Sequence, residues 1–141
     1  MKVDVYSRRN VAQLDPNPEV CLISVWSLSA LGTMGYEDNI QLDGWRDSLK
    51  LEFDDVTHNS MGMYTPFDEE MGQTTFDFMH KHMGHDFIIH CDAGFSRSVA
   101  MGAFMAQAFG YDPIFHECGH DGMRNILVFN ILRRIWREIH A

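Results

Sequence analysis

The stretch F-I-I-H-C-D-A-G-F-S-R-S, residues Phe87 to Ser98, decides how the chain is read: a short apolar run, a tight loop, and then the helical pattern V-A-M-G-A-F-M-A-Q-A-F. If the loop curls around a point, the backbone N–H groups of Asp92, Ala93, Gly94, Phe95, Ser96 and Arg97 turn inward. The helix beginning near Arg97 or Ser98 adds the positive end of its dipole. An oxyanion is then held largely by donors without net charge. Arg97 adds a planar fork that pairs two oxygens at once, which the point charge of a lysine would not reproduce. The same positive field falls on the sulfur of Cys91 and favours the thiolate, the nucleophilic form. Gly94 permits backbone angles that a side chain would forbid.

The bare spacing C-x5-R is weak evidence, because three cysteines and eight arginines in 141 residues give about 0.2 chance matches. A second copy exists at Cys118 to Arg124 and also precedes a helical pattern. It is the poorer cradle: only Ile114-Phe115 precedes it, just after Pro113, and Asp121 stands where Gly94 stands in the first loop.

The loop H-C-D-A-G-F-S-R-S resembles the H-C-x-x-G-x-S-R-S signature of the dual-specificity protein tyrosine phosphatases, in particular their short bacterial and phage relatives. The likeness extends to Ser7-Arg8, to L-I-S-V at Leu22 to Val25, to L-E-F-D-D-V at Leu51 to Val56, and to Asn125 to Leu132 at the start of the last helix. A Pro often precedes that Asn in the family, whereas Arg124 stands there in this chain. The resemblance implies a dual-specificity-phosphatase-like fold with Cys91 as nucleophile and Arg97 and the loop amides as phosphate ligands. It implies that His90 orients the loop and that Ser98 eases departure of the thiolate.

Phosphomonoester hydrolysis also needs a group that protonates the leaving oxygen and later activates water. Asp54, Asp55, Asp68 and Asp86 are the nearby carboxyls. Asp86 falls at the far end of its strand and Asp68 at a helix start. The resemblance places the acid just after the strand ending near Phe53, which selects Asp55, with Asp54 as the alternative. The scheme requires no metal and no cofactor.

One domain spanning residues 1–141 suits the length, and 45% apolar residues is ordinary globular content. A net charge of −9 opposes nucleic acid and acidic membranes as partners, and so weighs against an RNA 5′-phosphatase. Three cysteines without framework spacing fit a reducing compartment, hence a cytoplasmic location. The first residues lack the apolar stretch of a signal peptide, and the longest uncharged run, Val20 to Tyr36, is short and polar for a membrane span. The expected partner is a phosphorylated protein or a small phosphomonoester.

Apolar patterning predicts strands over Val3 to Tyr6, Val20 to Trp26, Ser48 to Phe53 and Phe87 to His90, with a turn or short helix around Arg8 to Leu14. A loop with Gly32, Gly35, Asn39 and Gly44 follows the second strand. Helices are predicted from a Thr65 N-cap to about Met83, from Arg97 to Phe109, and from Asp121 to His140. The last of these carries Leu127 or Val128, Ile131, Leu132, Ile135 and Ile139 on one stripe. Strand–helix alternation implies an α/β domain of three layers, a central, mostly parallel sheet flanked by helices.

Three other readings compete. A pseudophosphatase would bind phosphorylated ligands without turnover. An arsenate-reductase-like thiolate enzyme would need Cys118 or Cys21 as a resolving thiol. His116, Cys118 and His120, at alternate positions, could join His80, His82 or His85 around zinc, although the usual zinc spacings are absent.

Overall fold

The computed structural model describes residues 1–28, 40–58 and 62–140. In chain order the elements are β1 (Lys2–Ser7), α1 (Arg8–Val11), β2 (Val20–Trp26), β3 (Asp47–Glu52), α2 (Glu69–Lys81), β4 (Asp86–Cys91), α3 (Arg97–Phe109), β5 (Asp112–Phe115) and α4 (Ile126–Ile139). The strands form one sheet in the order β3-β2-β4-β1-β5, and every pairing is parallel. This is the expected three-layer α/β architecture with one more strand than the sequence suggested.

Strand alternation sorts side chains to the two faces. Val3 and Val5, then Cys21, Ile23 and Val25, then Phe87, Ile89 and Cys91 enter the larger core, shared with residues of α2, α3 and α4. Leu22, Trp26 and Ile88 point to the opposite face, where Val11 and Ile40 cover them. Cys91 and His90, adjacent in sequence, therefore lie on opposite faces. Helix α3 lies close on the sheet because position 102 is glycine. A Cβ there would stand 2.7 Å from Cγ2 of Val5.

Several expected boundaries move, each for a local reason. Helix α2 starts at Glu69, and Asp68 rather than Thr65 is its N-cap, accepting from the Met71 amide at 2.8 Å. Residue Phe67 is 2% exposed and its ring packs 4.9 Å from that of Phe53, so the segment before the helix inserts into the core. The helix ends at Lys81, with His82 as C-cap. Helix α4 begins at Ile126, not Asp121, because Asn125 caps it by accepting from the amides of Leu127 and Val128. Val128, Ile131, Leu132 and Ile135 are buried as the stripe predicts, whereas Ile139 is exposed. Strand β3 starts one residue earlier than predicted and stops short of Phe53. Strand β5 was not anticipated. It tolerates Pro113 because it pairs only with β1 at the sheet edge, where a missing N–H costs no ladder bond. Gly44 has φ +92, while Gly32, Gly35 and Asn39 lie outside the described residues.

Candidate active site

Register brings Ser7 opposite Cys91, so the carboxyl ends of β1 and β4 meet where α3 begins. Open α/β sheets place their ligands at this edge. Cys91 closes β4, and its Sγ, 2% exposed by residue, lies 3.0 Å from Oγ of Ser98 and accepts from the Gly94 amide at 3.3 Å. Gly94 has φ +77, and a Cβ there would stand 2.7 Å from the Ser7 nitrogen. Glycine is thus required both by the turn and by the close approach of β1.

Ser96 occupies the N-cap of α3 but makes no side-chain cap. Its hydroxyl donates instead to Oδ1 of Asp55 at 2.8 Å. The first-turn amides of a 13-residue helix are left without a side-chain acceptor beside Cys91, an arrangement suited to an anion. Arg97, in that first turn, is buried. Its Nη1 donates to Ser27 Oγ at 3.0 Å and to the Phe53 carbonyl at 2.8 Å, and its Nη2 to Asp92 Oδ2 at 2.9 Å.

The two candidate acids are held differently. Asp54 is buried, and its carboxylate accepts from the Leu28 amide at 3.1 Å and the Thr65 amide at 2.9 Å, buckling two loops together. Asp55 is exposed and tied to the cradle through Ser96. Nδ2 of Asn125 donates to the same Oδ1 at 2.8 Å and to the Val56 carbonyl at 3.2 Å, while the Asn125 amide donates to the Ser96 carbonyl at 3.0 Å. Both side-chain donors thus meet Oδ1 and neither meets Oδ2.

His90 lies beneath the loop, away from the sulfur. Burial is the main cause holding its pKa down at about 4, and the nearby Arg8 and Arg97 charges reinforce it. A neutral ring fits its contacts: Trp26 Nε1 donates to Ser24 Oγ at 2.7 Å, and Ser24 sits 2.5 Å from His90 Nε2. If Ser24 donates to Nε2, Nδ1 carries the proton toward the Cys91 carbonyl 3.3 Å away.

Two residues gain a place that the sequence alone did not give them. Arg8 is buried, pairs with Asp92 through its guanidinium, donates from its amide to the Asp92 carbonyl at 3.2 Å, and lies 4.1 Å over the Trp26 ring. Asn125 links the acid segment, the cradle and α4. The Ser7-Arg8 and Asn125 matches in the family likeness were the available signals, but they carried no contact.

The second C-x5-R loop forms no comparable cradle. Cys118 donates to the His120 carbonyl at 2.9 Å, and Arg124 Nη1 to the Asp121 carbonyl at 3.2 Å. The neighbouring histidines are also engaged: His116 stacks on Tyr6 and contacts Asp4 at 2.7 Å, while His120 Nδ1 accepts from the Gly122 amide. Among the described residues no three His, Cys, Asp or Glu side chains group as metal ligands. Burial pushes the Cys21 thiol up to about 11, which leaves it inert.

The fold belongs to the class of parallel α/β domains with a cysteine loop at the carboxyl edge of the sheet. Among solved structures it is similar to a mutant form of Tk-PTP, with a TM-score of 0.54 and 18% identity, over 99% of this chain and 92% of that one. The active form of Tk-PTP aligns with a TM-score of 0.45 and 15% identity, over 95% of this chain and 79% of that one. The first likeness shows a shared fold. No protein-family model and no curated protein matches the chain.

Proposed function

We propose that residues 1–141 form a single-domain, cysteine-dependent phosphatase of the dual-specificity type, acting on phosphotyrosine, phosphoserine or phosphothreonine in proteins through a phosphocysteine. The observation that carries this reading is the convergence of the Gly94 amide and the Ser98 hydroxyl on Cys91 Sγ, beside a helix start without a side-chain cap. The name of Tk-PTP, a protein tyrosine phosphatase, agrees with it.

In the first step the Cys91 thiolate attacks phosphorus in line. The S–P bond forms, the P–O bond to the leaving group breaks, and Asp55 Oδ2 gives its proton to the departing oxygen. The loop amides of 92–97 and Arg97 neutralise the equatorial oxygens. In the second step Asp55 takes a proton from water as that water attacks phosphorus, and the S–P bond breaks. Ser98, 3.0 Å from the sulfur, donates to the returning thiolate. His90 stays neutral and holds the strand end through the Cys91 carbonyl. A reducing, cytoplasmic setting keeps the nucleophile active. Among the described residues no helix is long and apolar enough to cross a membrane.

Hydrolysis of a small aryl phosphate, in reducing buffer with a chelator, tests the reading. Cys91→Ser should abolish turnover and Cys118→Ser should leave it within about twofold. Asp55→Asn should lower kcat by about 10²- to 10⁴-fold. Asp54→Asn should instead lower the melting temperature, since it disturbs the Leu28 and Thr65 anchor. A wild type that binds phosphate or vanadate without turnover would replace the enzyme with a phospho-ligand binder.

A further inference from the structure

The loop places an acid where an anion is to be bound. Asp92 directly follows Cys91, and its carboxylate is only about one-eighth exposed. A carboxylate there opposes phosphate by charge alone, so its presence needs a positive reason. Its partners supply one. Oδ1 pairs with Arg8, while Oδ2 accepts from both Ser27 Oγ and Arg97 Nη2.

The planar guanidinium of Arg97 has five N–H donors. Ser27 Oγ and Asp92 Oδ2, hydrogen-bonded to each other, lie on Nη1 and Nη2 and so span the edge between those nitrogens. The Phe53 carbonyl takes the other Nη1 hydrogen. What remains is the Nε–H and the second Nη2 hydrogen, coplanar on the third edge. Nε is buried and has no hydrogen-bond partner among the described residues. A buried guanidinium held on two sides, with a two-donor fork left over, is preorganised for two oxygens of one anion.

Resting on the phosphatase reading above, we propose that the Asp92 carboxylate, gripped by Arg8 and assisted by Ser27, is a positioning residue that sets the Nε–Nη2 fork of Arg97 toward the transferring phosphoryl group. Arg8 is the outer member of the same device: it fixes Asp92 from behind while its own charge offsets that of the carboxylate. The cradle thereby keeps net positive charge with an acid inside it.

The test separates orientation from charge. Aryl phosphate turnover and inhibition by inorganic phosphate are measured for wild type, Asp92→Asn, Ser27→Ala and the double variant, with thermal melts alongside. Positioning predicts that Asp92→Asn loses about 10- to 100-fold in kcat/KM, mostly in kcat, while phosphate inhibits at least as tightly because a negative charge is gone. Ser27→Ala should lose less in the same direction. The double variant should fall well short of the product of the two losses, since both side chains hold one guanidinium. Unchanged kcat with tighter phosphate would make Asp92 a brake on anion affinity and overturn the inference, as would independent, multiplicative losses. If Asp92→Asn does not fold, Ser27→Ala decides: kcat within twofold of wild type overturns the inference. A wild type that neither hydrolyses the ester nor binds phosphate would sink the parent reading and this inference with it. An active wild type with an indifferent Asp92 sinks the inference alone.

Discussion

The chain contains the spacing C-x5-R twice, and the two copies fold into opposite arrangements. In the first, Cys91 ends a buried strand at the sheet's carboxyl edge, an amide and a hydroxyl turn onto its sulfur, and Arg97 is buried among fixed acceptors. In the second, Cys118 follows an edge strand, its thiol serves a local carbonyl, and Arg124 bonds its own turn at Asp121. Both contain a glycine at positive φ, yet a Cβ at Gly94 would strike β1 while one at Gly119 would meet nothing within 4 Å. The second segment acts as a buttress. The Glu117 side chain abuts Gly94 and is held by Asn10 Nδ2 at 2.8 Å, and Asn125, just past Arg124, bonds the Ser96 carbonyl. Spacing alone makes no phosphate site. The proposed cradle adds a central strand end, a close turn and a helix without a side-chain cap.

The contrast can be broken most sharply at the arginines. Arg97→Lys should lower kcat/KM by about 10³-fold, because a lysine cannot keep three anchors and a bidentate fork, whereas Arg124→Lys should leave it within about twofold. Equal losses in steady-state kinetics would dissolve the distinction. The glycines come next. Gly94→Ala combines a strained φ with contacts to backbone and should cost about 3 kcal/mol or more along with most activity, while Gly119→Ala should cost about 1 kcal/mol and spare activity. Chemical denaturation of both variants checks this. Asn125→Ala removes the α4 cap and one of the two bonds that hold Asp55. It should cost about 1 kcal/mol and lower kcat about tenfold with little change in phosphate inhibition.

The support beneath the first loop is read in the pH dependence of stability, with no effect on the chemistry itself. His90 has a folded pKa of about 4 against 6.5 when unfolded, so between those values the unfolded chain binds a proton that the folded protein refuses. Stability from this group is complete above pH 6.5 and is lost as pH falls toward 4, by up to about 3 kcal/mol. Denaturation midpoints across that window should show the slope, and His90→Asn should flatten it.

Much of this was legible in the sequence. Helix α3 runs from Arg97 to Phe109 as predicted, closed by Gly110 at φ +73, because the apolar pattern and its terminal glycine agree. Strand β2 was likewise legible from a run that is apolar except for Ser24, and it lies inside the sheet. What escaped depends on distant partners. Thr65-Pro66 resembles a helix start, but burial of Phe67 and the Asp54 anchor keep that segment outside the helix. Four residues with a proline gave no strand signal at β5, which exists because β1 offers an edge. The tie of Asn125 to Asp55 joins residues 70 apart, and that of Arg8 to Asp92 joins residues 84 apart. No local pattern could contain them.

If the first loop, and not the second, holds an oxyanion over a nucleophilic sulfur, the two cysteines must differ in reactivity and in their response to phosphate. Alkylation by iodoacetate near neutral pH, with and without inorganic phosphate and with each cysteine followed by peptide mass spectrometry, tests it directly. Cys91 should be modified first, phosphate should slow its modification severalfold, and the slower labelling of Cys118 should not respond to phosphate. Labelling of Cys118 ahead of Cys91, or of Cys91 at a rate indifferent to phosphate, would contradict it.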